Sequence, residues 1–345
     1  MKVTVGIPTK GRYDKLVLTL QALAFQTHQD MHIIMIDDTE QPTDLRTIPA
    51  YQAVFELFNA HKITFQLEYG QKRGQHISHQ RIQEMAQTDW IWRIDDDEIP
   101  EPSVLSILLS DAIVGMNVGA VGGLVLSPNP AWLPTLPTIV RSSITDPNQN
   151  VQWFRHPVEH TFEVDHLHST FLYRRGHEKF NPFLSPAAHR EETLFSYGLK
   201  RQGFRLLVDT SAVTWHFRDM SGGIRSHRNP QFWEDDEKLF YSKLAEWGVT
   251  GDTTKYIVLD AGRGDHVLVK SLLPRLKKKY PKIVAATCYK DIFDGEVEQI
   301  SVAEAHQRLG NLDRFNVYRW CQEHQWSGPL VDAYAEMFGL TKESK

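Results

Sequence analysis

Along the first 126 residues, β-branched apolar runs alternate with helix-periodic segments, and that alternation limits the folds open to the chain. "KVTVGIPT" (2–9), "MHIIMIDD" (31–38), "KITFQLEY" (62–69) and "DWIWRID" (89–95) read as strands. Between them, "DKLVLTLQALAFQ" (14–26) repeats its apolar positions at Leu16, Leu20, Leu23 and Ala24, a helical spacing. Residues 51–60 and "GQHISHQRIQEMAQ" (74–87) complete the helices. "VLSILLSDAIVGMNVGAVGGLVL" (104–126) contains Asp111, Asn117 and several glycines, so it reads as helix, turn and buried strand, not as a membrane span. Such alternation predicts a parallel, doubly wound α/β sheet. Ligands gather at the carboxyl ends of its strands. Thr9, Asp37, Asp38 and Asp95–Asp97 all stand at such ends, so three distant segments should meet in one crevice.

The pattern then changes. "SPNPAWLPTLPT" (127–138) is Pro-rich and "DPNQNVQWFRHPVEH" (146–160) is polar with aromatics, a long irregular excursion. Residues 161–175 are strand-like, 189–203 helical, and 204–217 a strand ending in Trp215 and His216. "SGG" (221–223) marks a flexible point before an amphipathic helix over 231–247. A boundary near "WGVTGDTTK" (247–255) precedes "KYIVLDAGRGDHVLVKSLLPRLKKKYPKIVAATCY", which restarts strand, Gly-rich turn, helix and strand. Two domains are expected, 1–248 and a smaller α/β unit over 249–345.

With 41% apolar and 23% charged residues among 345, the chain has material for full cores. A net charge of −5 gives no global footprint for nucleic acid. Cys288 and Cys321 cannot form a disulfide framework. The N-terminus "MKVTVGIPTKGRYD" reads as a strand and not as a signal peptide. A cytoplasmic, soluble protein is the expectation.

The acidic run "WRIDDDEIP" (92–100) carries the strongest chemical signal. Adjacent carboxylates repel and are costly to desolvate without a partner. A divalent cation with hard oxygen ligands resolves that conflict, and Mg2+ or Mn2+ leaves room for substrate phosphates. In extended chain Asp95 and Asp97 point one way and Asp96 the other. A solvated acidic turn is the bland alternative.

"VTVGIPTKGR", "IIMIDDTE", "GQHISHQRIQEMAQTDWIWRIDDDE", "HSTFLYRRG" and "HREETLFSYGLKRQGFRLLVDTSAVTWH" resemble, in order, the motifs of GT-A glycosyltransferases of family 2 over residues 1–220. The resemblance implies a Rossmann-like mixed sheet with flanking helices. It implies a metal-dependent, inverting transfer of sugar from a nucleotide-diphosphate donor, UDP-sugar first, to a hydroxyl acceptor. Thr9, Asp37 and Asp38 match donor-base positions, and Asp95 and Asp96 lie near the ribose. Asp97, with Asp95 and His216, matches the Mn2+ or Mg2+ site. Glu192 matches the general base, with Glu191 as fallback. The family helix often carries Ala-Arg-Asn where this chain has Ser78-His79-Gln80, so His79, or Arg73 or Arg81 nearby, takes the donor-contacting Arg position.

Other readings stand beside these. Asp37 and Asp38 could cap the next segment, and the Glu191–Glu192 pair could serve the helix dipole. His216 could be structural beside Trp215. His166 and His168 share a strand face, suited to metal binding, substrate lining or packing. Trp153, with Phe154, and His168 are the acceptor candidates. The acceptor is a glycan, a protein, a lipid headgroup or a modified nucleic-acid base. "LDAGRGDHVLVKSLLPRLKKKYP" resembles the N-terminal Rossmann-like half of a GT-B enzyme of family 9, the heptosyltransferase type, over residues 255–290. Without a second half, that unit would serve packing, homodimerisation or acceptor contact. A non-catalytic sugar-nucleotide or glycan-binding protein is the rival function, and a nucleotidyltransferase the third.

Overall fold

The computed structural model of the chain describes residues 1–71, 73–128, 142–148, 150–156, 159–218, 229–249, 254–280, 282–309, 312, 315–338 and 340. Most of the Pro-rich stretch, the Ser221–Gly223 segment and residues 250–253 of the expected boundary lie outside the described residues. The described residues form two compact units, one within Met1–Gly248 and one within Val249–Lys345.

The first unit runs β1 (Val3–Thr9), α1 (Tyr13–Ala24), β2 (Met31–Asp37), α2 (Pro49–Ala60), β3 (Thr64–Tyr69), α3 (Gln75–Met85), β4 (Trp90–Arg93), β5 (Glu98–Pro100), α4 (Val104–Val114) and β6 (Val118–Leu126). It continues with β7 (Thr161–Glu163), β8 (Phe171–Arg174), α5 (Glu191–Arg201), β9 (Arg205–His216) and α6 (Pro230–Glu246). Its sheet is ordered β3-β2-β1-β4-β8-β6-β9-β5, with β7 also on β9. β1, β2, β3 and β4 are parallel, as the alternation predicts. β8 then enters antiparallel between β4 and β6, so the whole sheet is mixed. No crossover helix reverses the chain between β7 and β8, and an antiparallel insertion needs none. The 104–126 segment is the expected helix and strand, α4 and β6.

Side chains alternate across this sheet. Val3, Val5, Ile7, Trp90, Trp92 and Leu172 share a core with Leu16 and Leu20 of α1, Phe58 of α2 and Leu108 of α4. Burial of each such side chain contributes about 1.5–3 kcal/mol. The opposite face receives α3 and α5. At Gly6 a Cβ would stand 2.7 Å from Ile82, so the glycine lets α3 lie close to β1. On β8, Tyr173 meets Phe195 of α5 edge-on at 4.8 Å, and Phe195 stacks on Phe180 at 4.1 Å. Arg93 points to that same face, over Phe171.

The second unit holds β10 (Thr254–Leu259), α7 (Arg263–Lys279), β11 (Lys282–Thr287), β12 (Glu298–Ile300), α8 (Val302–Leu309), α9 (Val317–Glu323) and α10 (Leu330–Met337). Its three strands are parallel, in the order β10-β11-β12. Ile257, Leu272, Leu276, Ala285 and Phe338 form the core. In the first turn of α7, Asp265 accepts the hydroxyls of Tyr318 and Tyr334, each at 3.0 Å. Among the described residues no helix is long and apolar enough to cross a membrane.

Candidate active site

Parallel pairing brings the strand ends together. Thr9 and Asp37 are register partners at the ends of β1 and β2. Asp37 is 1% exposed and accepts the Tyr13 hydroxyl at 2.6 Å and the Thr39 N–H at 2.9 Å. Asp38 packs over Gly70, where a Cβ would fall 1.8 Å from its Oδ1, so only glycine allows that approach. Thr9 donates its hydroxyl to Asp96 at 2.7 Å, linking the first strand end to the acidic run.

Within that run, which turns at Asp96 and Asp97 between β4 and β5, the carboxylates take different partners. Asp96 turns inward to Thr9 and to Arg12, whose Nη1 lies 3.1 Å away. Burial pushes Asp96 up to about 7, against the pull of Arg12. Asp97 is flanked by Arg12 at 3.2 Å and His216 Nε2 at 3.2 Å. Glu98 is fully buried and accepts the Asp95 N–H at 3.0 Å and the Ser169 hydroxyl. Burial, and then Asp95, raise it to about 8. Burial alone would lower His216, but Asp97, Glu98 and Asp95 together raise it. One ligand atom each from Asp95, Asp97 and His216 lies within 4.8 Å of the others.

The acid pair at the start of α5 also divides. Glu191 is 1% exposed and forms an ion pair with the fully buried Arg93, while Gln75 of α3 donates to it at 3.1 Å. Burial pushes Glu191 up to about 7 despite Arg93. Glu192 instead accepts from His168 Nδ1 at 3.0 Å. Burial would raise Glu192, yet this hydrogen bond and Arg93 hold it well below the usual carboxylate range. Glu192, His168, Trp153, Asp95, Ser169 and His216 line one cavity of about 250 Å³, with Gln75, Arg93 and Arg218. Ser169, at φ 56, lies in the left-handed region uncommon for a residue with a side chain. That turn stands between His168 facing Glu192 and Ser169 facing Glu98 and Asp95.

Not every expected donor contact reaches this cavity. His79 is buried on α3, stacked on Phe180 at 5.3 Å, and desolvation holds it well below the usual imidazole range. Arg73 is exposed just before α3. Arg81 is tied to Glu68 and to the Tyr69 carbonyl. Arg12, Arg93 and Glu98 were not singled out by sequence reasoning. Arg93 and Glu98 flank the acidic triplet, and a charge at a strand position otherwise apolar is the signal that could have marked Arg93.

The family model described as "Glycosyl transferase family 2" matches residues 4–175, which contain the strand ends, the acidic run and His168. The chain carries a family 2 glycosyltransferase domain. Residues 4–175 therefore belong to a glycosyltransferase domain. Among solved structures, S. aureus TarS 1–349 in complex with UDP-GlcNAc is similar with a TM-score of 0.52 and 14% identity, over 97% of this chain and 84% of that one. GalNAc-T7 with UDP, GalNAc and Mn2+ is similar with a TM-score of 0.51 and 12% identity, over 71% of this chain and 51% of that one. This chain spans half the length of a longer S. aureus TarS chain. At such identities these likenesses show the GT-A fold. No curated protein matches the chain.

In the glycosyltransferase domain, the Asp95–Asp97–His216 donor set suits a divalent ion. Two hard carboxylates and one imidazole fit Mn2+ or Mg2+ with positions left for phosphate oxygens.

Proposed function

We propose that the protein is a metal-dependent, inverting glycosyltransferase that moves a sugar from a UDP-sugar to a hydroxyl acceptor. One observation carries the reading: Glu192 and the Asp95 and His216 side of the acidic cluster open on the same cavity. Asp95, Asp97 and His216 would hold Mn2+ or Mg2+, which when bound stabilises charge on the leaving diphosphate. Thr9, Asp37 and Asp38 meet the nucleoside. Glu192, held as a carboxylate, takes the proton of the acceptor hydroxyl, whose own pKa is high. Glu191 is the weaker candidate base because its carboxylate is turned into Arg93. Trp153 offers an aromatic edge for an acceptor ring, which favours a glycan or other sugar-bearing acceptor. His79, inside the protein, serves α3 packing and does not touch donor. Both cysteines are free thiols, which supports a reducing, cytoplasmic setting.

Donor hydrolysis tests this without knowledge of the acceptor. UDP-sugars with Mn2+ should raise the melting temperature and release UDP slowly. A ligand at one hundred times its Kd stabilises by about 2.7 kcal/mol. Chelation or Asp97→Ala should remove both effects. Equal stabilisation with and without metal would remove the ion from the site. Pyrophosphate as product would make the enzyme a nucleotidyltransferase, and binding with no turnover under any donor and acceptor would leave a binding protein.

A further inference from the structure

We propose that His168 is a positioning residue that holds the carboxylate of Glu192 in place through its Nδ1–H. The inference rests on Glu192 as the base. It goes beyond that reading by assigning the side chain that orients the base.

Three features support it. His168 Nδ1 lies 3.0 Å from Glu192 Oε1, and both side chains line the cavity. The His168 backbone is clamped on both sides by one fully buried side chain. Gln152 Oε1 accepts the His168 N–H at 2.8 Å, and Gln152 Nε2 donates to the His168 carbonyl at 3.3 Å. That amide is itself fixed by Gly123 O at 2.9 Å. Finally, the ring meets Trp153 edge-on, at 5.0 Å and 87°. The backbone of His168 is therefore held by a side chain outside the cavity, and its ring is packed against Trp153.

The chemistry of the pair follows from its surroundings. Burial lowers His168, so the imidazole is neutral at pH 7 and carries one N–H. A carboxylate opposite Nδ1 places that proton on Nδ1 and leaves Nε2 as an acceptor. Other charges act on Glu192 from each neighbouring element. Arg93 of β4 lowers it, and Glu191 beside it on α5 is a like charge. His79 of α3 and His166 also interact with it. Asp95, His216 and Arg218 stand around the same cavity. Of these groups, His168 makes the hydrogen bond that sets which oxygen of Glu192 faces the acceptor.

His168→Phe removes the donor and keeps an aromatic ring, whereas His168→Asn keeps an N–H close to the Nδ1 position. With UDP-sugar and Mn2+, His168→Phe should lower kcat about 10–100-fold, within the range for general-base effects. Donor KM should change little, and the acid limb of the kcat/KM profile should move up. His168→Asn should restore the limb. A wild-type acid limb in His168→Phe, or equal loss in both variants, would overturn the proposal. Independently, 15N spectra of the histidine rings should show His168 as the Nδ1–H tautomer, changed by Glu192→Gln. An Nε2–H tautomer would also overturn it. The spectra need no donor, so they still decide the hydrogen bond if no nucleotide sugar is turned over, an outcome that rejects the donor reading instead.

Discussion

At one end of the cavity, three carboxylates, Asp95, Asp97 and Glu98, crowd one histidine, and His216 is raised. At the other, His168 bonds one lowered carboxylate, Glu192, on which the buried His79 and His166 also act, and all three histidines are lowered. Both ends divide adjacent acids between scaffold and cavity. Asp96 and Glu98 turn inward from the acidic run, as Glu191 does in the first turn of α5. Each inward acid meets a fixed partner: Arg12 for Asp96, Ser169 for Glu98, Arg93 for Glu191. The contrast shows how one cavity keeps two kinds of acid. Carboxylates close to one another suit a cation, and a carboxylate held by an imidazole suits a proton.

The largest expected effect separates the two members of the α5 pair. Glu192→Gln should lower kcat by about 10²–10⁴-fold while donor binding, followed by calorimetry, persists. Glu191→Gln should cost no more than about tenfold in kcat, since that oxygen faces Arg93 and not the cavity. The reverse pattern would move the base to Glu191 and undo the division between scaffold and cavity acids.

Next comes the ion pair that anchors the inward acid. Burial lowers Arg93, but Glu191, Asp95, Glu192 and Glu98 together raise it. Removing one partner of a buried pair leaves the other uncompensated, at a cost of about 3–5 kcal/mol. Arg93→Met should lower stability by that amount in urea titrations. Adding Glu191→Leu should recover most of it, because the orphaned charge goes too. Simple additivity of the two losses would show that Arg93 and Glu191 do not stabilise one another.

What could be read from the sequence follows the range of each signal. The β1–β4 ladder rests on local periodicity, and the meeting of Thr9 with Asp37 and Asp96 at its strand ends follows from it. The place of β8 was not legible, because strand order is set by contacts across the sheet that no window records. Nor was β5, three residues long. At the site, the acidic triplet stood out because it is contiguous. Arg93 did not, since its partner Glu191 lies 98 residues away. His79 shows the limit of matching by position. It occupies the slot of a donor-contacting arginine, but at that point α3 faces Phe180 and the interior.

The smallest effect tests the histidine-rich end through pH. His166 is 1% exposed, and neither ring nitrogen has a hydrogen-bond partner among the described residues. Burial, then the neighbouring His168, lower it to about 4, and burial lowers His76 of α3 to about 4 as well. In the unfolded chain both return to about 6.5. A lowered folded value means that the unfolded state binds more protons below that pH. The destabilisation from these two histidines is therefore absent above about 6.5 and grows as pH drops toward 4, by up to about 3 kcal/mol per histidine. His166→Phe should flatten the resulting fall in urea midpoints measured between pH 7 and 4.5, leaving the share due to His76, His79 and His168. An unchanged slope would mean that His166 titrates normally in the folded protein. The neutral imidazoles acting on Glu192 would then be two, His79 and His168, and the contrast with the acidic end would rest on those alone.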